Sequence, residues 1–241
     1  MRLTALFLLF VVCAPLHILS KLLFRRSPWP PWFLSASAWI IGARVRRTGA
    51  PIRRHTLLVC NHTSWLDILI LGGATKCTFV SKAELGHPFI RWLADQNRCV
   101  YVERAARADA RDQAIAIARA LERDKPVALF PEGTTGPGTH LLPFRSTLLE
   151  AAKFAARDVE IRGVAIDYGA AAAEIGWYHE SGKDNVLRIL GRSGTLPVAV
   201  HVLPPMNRAA DRKQLAHDAR ERIAQTLGFK SEPHSLIGVE K

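Results

Sequence analysis

From His55 onward, short apolar runs alternate with longer segments whose apolar residues recur every three or four positions. The runs at 57–60, 77–80, 99–102, 127–130, 161–166 and 197–202 are too short for helices and read as buried strands. The segments at 65–71, 88–95, 108–123, 147–156 and 208–227 carry the helical period. This order predicts an α/β fold with a mostly parallel central sheet flanked by helices. Residues 169–185 show the least pattern and are expected to form an exposed insertion. The 208–227 segment reads as a charged surface helix.

The first 54 residues follow a different rule. Residues 3–23 are almost continuously apolar, interrupted by Pro15, His17, Ser20 and Lys21. That length suffices to enter a bilayer and is marginal for crossing a hydrocarbon core, which takes about 20 apolar residues. A cleaved signal peptide is the alternative, but no small-x-small cleavage site follows, which favours a retained anchor. Residues 27–43 place Trp29, Trp32, Trp39 and Phe33 among prolines, a composition suited to the headgroup boundary. The expected division is therefore an N-terminal membrane anchor and basic interfacial arm over 1–54 and a catalytic domain over 55–241.

Charge sharpens that division. The chain of 241 residues has a formal net charge of +12, and no Asp or Glu precedes Asp67. The same stretch carries Arg2, Lys21, Arg25, Arg26, Arg44, Arg46, Arg47, Arg53 and Arg54. Cations beside an apolar segment point to an anionic membrane surface and place the catalytic domain on the cytoplasmic side. Nucleic acid is the competing partner for so basic a chain. No recognised nucleic-acid motif accompanies the charge, and an RNA-binding arm has no use for the adjoining hydrophobic run. The four cysteines form no CxxC pair, which argues against a structural metal and a disulfide framework.

The candidate chemistry lies where apolar runs stop. Residues 57–67 read LLVCNHTSWLD, so His62 falls at a strand-to-helix corner, with Thr63 or Ser64 offering a helix cap. Asp67, in the first turns of the helix, can fold back towards the imidazole. A carboxylate there fixes the tautomer and stabilises the imidazolium, leaving the other ring nitrogen to act as general base. A histidine near a capping position beside an unrelated aspartate is the plainer alternative. A second block, Phe130-Pro131-Glu132-Gly133-Thr134-Thr135, follows the apolar run Pro126-Val127-Ala128-Leu129.

Together, NHTSWLD and FPEGT resemble the glycerolipid acyltransferase family, whose best-known members acylate lysophosphatidic acid. The resemblance covers roughly residues 57–168. It implies direct attack of an acceptor hydroxyl on an acyl thioester, with His62 as base and Asp67 orienting it. It needs no cofactor and no metal; acyl-carrier protein or coenzyme A brings the acyl group as co-substrate. Glu132, Gly133 and Thr134 would line the acceptor site, Glu132 either bonding acceptor hydroxyls or bracing their loop. Arg104, in Tyr101-Val102-Glu103-Arg104, resembles the family's phosphate-gripping arginine, and Lys82 offers a second phosphate contact. Arg145, in the Pro143-Phe144-Arg145 block, keeps a cation near the acceptor head. In some relatives the N-terminal segments form a helical hairpin that dips into one leaflet of a bacterial inner membrane.

The chain departs from the commonest pattern at one place. Thr135 stands where most relatives carry arginine after FPEGT. Sequences with FPEGTT and LPFR include acyltransferases of lyso-ornithine lipid. The resemblance therefore implies lysophosphatidic acid as the first acceptor and lyso-ornithine lipid as a close second. A serine-nucleophile hydrolase is the rival chemistry, but no G-x-S-x-G occurs; Gly191-Arg192-Ser193-Gly194 only approaches it. An inactive homologue that merely binds anionic lipid is the rival outside enzymes.

Overall fold

The computed structural model describes residues 1–25, 27–82, 87–102, 110–156 and 158–229. Its centre is a seven-stranded sheet in the order β1-β7-β6-β2-β5-β3-β4. The strands are β1 (Ala43–Gly49), β2 (Thr56–Cys60), β3 (Thr78–Lys82), β4 (Val100–Val102), β5 (Val127–Leu129), β6 (Glu160–Asp167) and β7 (Leu196–Pro205). Among the described residues only the β6–β7 pair is antiparallel; the other pairs run parallel. The mixed, mainly parallel sheet predicted from the alternation is the one found.

The alternation of side chains along β2 explains why the sheet is covered on both faces. Every β2 residue is buried. Leu57 and Val59 join one apolar cluster with Ile117, Leu121, Leu149 and Ala219. Leu58 and Cys60 join another with Leu66, Ile70, Phe79 and Ile189. Successive residues of a strand face opposite sides, so a strand buried on both must be apolar throughout. The first face is covered by α5 (Ala110–Leu121), α6 (Ala151–Phe154) and α9 (Arg212–Thr226), and the second by α2 (Trp29–Ile41), α3 (Leu66–Thr75) and α8 (Gly182–Gly191).

α1 (Arg2–Phe24) packs on α2 and reaches α4 (Pro88–Gln96) through aromatic edges. Phe10 lies 6.3 Å from Phe33, 5.3 Å from Phe89 and 6.0 Å from Trp92, ring centre to ring centre. The outer face of α1 exposes Leu3, Phe7, Leu8, Val11, Val12, Ile18, Leu19 and Leu22. Its two ends are tied to the domain. The Arg2 guanidinium donates to the carbonyls of Ile189, Leu190, Arg192 and Gly194, at the end of α8 and in the turn after it. Near the other end, His17 pairs with Gln96 of α4 at 3.0 Å and with Ser27 at 2.7 Å.

Three sequence expectations differ from this arrangement. Residues 43–49 fall within the expected basic arm yet form β1, paired in register with β7. An edge strand exposed along most of its length carries no hydrophobic alternation to betray it. Its exposed Arg44, Arg46 and Arg47 also guard that edge against pairing with another chain. Residues 169–185, expected as an unpatterned insertion, hold α7 (Ala172–Ile175) and the start of α8, with Ile175 and Asn185 fully buried. The C-terminal helix α9 is more than a surface helix: Leu215, Ala219 and Ile223 are buried, and Asp211 caps it by accepting from Lys213 N and Gln214 N.

Candidate active site

β2 and β5 are parallel neighbours, so their carboxyl ends lie side by side. The NHTSWLD and FPEGT blocks follow those two ends and are brought together by sheet order alone. His62 Nδ1 lies 2.8 Å from Asp67 Oδ2, with the Asp67 side chain fully buried and the His62 side chain 17% exposed. The same Oδ2 accepts the backbone N–H groups of Thr63 at 2.7 Å and Ser64 at 2.9 Å. Asp67 Oδ1 accepts the Tyr168 hydroxyl at 2.5 Å. Four donors thus offset the cost of burying a carboxylate and leave it one orientation. Burial and the adjacent Asp67 push the Tyr168 hydroxyl's pKa well up, so it remains a donor.

With Nδ1 committed to Asp67, Nε2 is the imidazole nitrogen left for proton transfer. The ring is stacked on Phe130, 4.1 Å between centres and 18° between planes. Phe130 is the first residue of the second block, so one block holds the ring that the other supplies. The backbone is fixed as well: Gly136 N donates to His62 O at 2.8 Å.

Glu132 is 4% exposed and spends both oxygens on backbone groups. Oε1 accepts from His62 N at 2.7 Å and Oε2 from Leu142 N at 2.9 Å. Of the two roles expected for it, bracing is the one the geometry displays. Burial pushes its carboxyl up to about 7, against the pull of those two N–H groups; the negative Asp67 adds to the rise. Gly133 follows with φ +75°, in the left-handed region that favours glycine.

A largely apolar cavity of about 840 Å³ opens beside this floor. His62, Gly133, Thr134 and Lys82 line it, together with Phe10, Cys13 and His17 of α1, Trp29 and Phe33 of α2, and Trp92 of α4. A smaller cavity of about 220 Å³ lies on the other side of His62 and is lined by Glu132, Asn61 and Tyr168. The structure therefore joins His62, Asp67, Glu132, Gly133, Thr134 and Lys82 into one region. Arg145 is exposed and lines neither cavity; it contributes its backbone N–H to Pro131 O at 2.9 Å. Arg104 lies outside the described residues.

Sequence reasoning missed Tyr168, Asn61 and Arg220 as parts of the site. Asn61 joins β2 to β6 by donating to Ile166 O at 3.1 Å and accepting from Ile166 N at 2.8 Å. Arg220, on α9, holds the carbonyls of Leu141 and Leu142, and so aims Leu142 N at Glu132. The one available signal was for Tyr168, which directly follows β6, the other neighbour of β2.

A family model described as Acyltransferase matches residues 41–167. A lyso-ornithine lipid O-acyltransferase of Rhodobacter capsulatus is 30% identical over 237 residues, covering 90% of this chain and 85% of its own. One from Pseudomonas aeruginosa is 32% identical over 201 residues, covering 81% and 77%. A 1-acyl-sn-glycerol-3-phosphate acyltransferase of Neisseria gonorrhoeae is 30% identical over 146 residues, covering 59% of this chain and 52% of its own. Among solved structures, the 1-acyl-sn-glycerophosphate acyltransferase PlsC of Thermotoga maritima superposes with a TM-score of 0.64 over 96% of this chain and all of its own; at 20% identity that likeness carries the fold. The matched segment begins just before β1 and ends at the last residue of β6, so it takes in every strand but β7 and both blocks that build the floor. This chain belongs to the acyltransferase family.

Proposed function

We propose that this chain is a lysolipid O-acyltransferase that moves a fatty acyl group from acyl-carrier protein or coenzyme A to a free hydroxyl. The observation that carries the reading is the 2.8 Å His62–Asp67 pair on the floor of an apolar cavity large enough for an acyl chain. His62 Nε2 takes the hydroxyl proton as the oxygen attacks the thioester carbonyl. The tetrahedral intermediate then expels the thiolate, which recovers that proton from the imidazolium. Asp67 holds the imidazole in the needed tautomer throughout.

Lyso-ornithine lipid, giving ornithine lipid, is the acceptor best supported. The relatives named for it match 78–90% of this chain, against 59% for the Neisseria relative named for 1-acyl-sn-glycerol-3-phosphate. Thr135 in place of the usual arginine supports the same order, which reverses that implied by the motifs. Lysophosphatidic acid, giving phosphatidic acid, is the second reading, favoured by Lys82 in the cavity wall.

The exposed apolar face of α1, flanked by Trp32 and Trp39 of α2 and the arginines of β1, supports attachment to the cytoplasmic face of an inner membrane. Both ends of α1 are bonded to the catalytic domain, which supports a helix lying in one leaflet and not crossing to the other side. The test is purified protein in lipid vesicles with an acyl thioester and each lysolipid in turn, read as free thiol and acylated product. Thiol release that tracks product with lyso-ornithine lipid supports the reading; binding to vesicles with no turnover on either acceptor leaves only the inactive lipid-binding homologue.

A further inference from the structure

The segment between α7 and α8 is clamped between the first block and the turn that follows the second. Trp177 N donates to Thr63 O of the first block at 2.9 Å. On the side of the second block there is no spare room: an added Cβ at Gly176 would sit 2.4 Å from Pro137 O, and one at Gly138 would sit 2.2 Å from Ala172 O. Two glycines on facing segments thus permit a backbone approach that any side chain would block.

The far end of this segment is held equally firmly. Trp177 Nε1 donates to Glu180 O at 3.1 Å. The Glu180 carboxylate is paired with Arg188 and accepts from buried Asn185 at 2.7 Å, both residues of α8. Arg188 also donates to Gly176 O at 3.0 Å, closing the turn on itself. What the brace presents is a rim. Tyr178 and His179 line the large cavity that His62 lines, and both are exposed. His179 stands at φ +61°, a left-handed backbone that a non-glycine residue adopts only under strain. Its ring lies 3.8 Å from that of Tyr178, centre to centre. Neither the Tyr178 hydroxyl nor the His179 nitrogens have a hydrogen-bond partner among the described residues.

We infer that Tyr178 and His179 form the recognition wall for the polar head of the acceptor, binding its anionic oxygens at the mouth of the cavity while the tail lies inside. This rests on the reading that the acceptor is a lysolipid. A phenol hydroxyl and an imidazole N–H are both donors suited to a carboxylate or a phosphate. A rigid support fixed to the base-bearing block lets head binding set where the hydroxyl stands relative to His62. The ornithine carboxylate and the lysophosphatidic acid phosphate share this chemistry.

The experiment compares wild type with Tyr178→Phe, His179→Gly and the double variant in vesicles. Glycine adopts the left-handed backbone freely and leaves no side-chain donor. KM is measured for lyso-ornithine lipid, lysophosphatidic acid and the acyl thioester. The double variant is expected to raise the acceptor KM about tenfold, with the donor KM within twofold and melting temperature nearly unchanged. The acceptor whose KM moves identifies the head that the wall reads; movement for both makes it a general anion wall. Unchanged acceptor KM, or a rise confined to the donor KM, overturns the inference and, in the second case, assigns the wall to the thioester carrier. Wild type that acylates neither lipid removes the function reading and this one with it.

Discussion

The floor and the wall of the large cavity are built from opposite materials. The floor, at the ends of β2, β5 and β6, is polar and over-determined: Asp67 takes four donors and Glu132 ties one block to a turn of the next. The helical side of the cavity, from α1, α2 and α4, is mostly apolar contact, with polar ties near the ends of α1. Proton transfer needs atoms held to a fraction of an ångström, which directional bonds provide. An apolar tail needs only displaced water and matching shape, which side-chain packing provides. Damage to the floor should therefore appear in kcat, and damage to the packed helices α1, α2 and α4 in membrane attachment and stability.

The largest effect should follow from His62→Ala, with kcat falling by about 10³-fold or more and vesicle binding intact. A variant that retains wild-type turnover in steady-state kinetics would break the distinction at once. Asp67→Asn should come next, with a kcat loss on the order of 10²-fold or more, because the amide can donate and no longer enforces one tautomer. It also confronts the N–H groups of Thr63 and Ser64 with a neutral oxygen at best, so melting temperature should fall too.

On the wall, Arg2→Ala should lower stability by about 1–2 kcal/mol through lost bonds to the carbonyls at the end of α8. Denaturant unfolding in detergent checks this, and kcat of the folded fraction should stay within a few fold. A further effect is a pH dependence. The unfolded chain releases the Glu132 proton near 4.5, whereas burial holds it to about 7 in the folded protein. Between those values the folded state binds more protons. The stability this group gives is full below about pH 4.5 and is lost as pH rises through about 7. Glu132→Gln removes the titration, so the difference in melting temperature between wild type and variant should change across that window and flatten outside it.

The floor was more legible in the sequence than the wall. His62 and Asp67 are five positions apart in one block, and both blocks follow apolar runs, so strand ends could be inferred without knowing strand order. The side chains that complete the floor come from elsewhere: Tyr168 from the end of β6, 101 positions from Asp67, and Arg220 from α9, 79 positions from Leu141. Spacing carries no trace of such contacts. Arg145 misled for the converse reason, since a motif position fixes where the backbone runs and not where an exposed side chain points. Residues 43–49 looked like a basic arm because an exposed edge strand has no buried face to impose alternation. The segment at 169–185 looked structureless because its order comes from packing against two loops, which leaves no period.

The central claim is that one imidazole, steered by Asp67, deprotonates a lipid hydroxyl for direct attack on a thioester. Its most direct test is thiol release by wild type and His62→Ala in the same vesicles, with lyso-ornithine lipid present and then omitted. The account predicts acceptor-dependent release by wild type and almost none by the variant. Release by His62→Ala at the wild-type rate would contradict it.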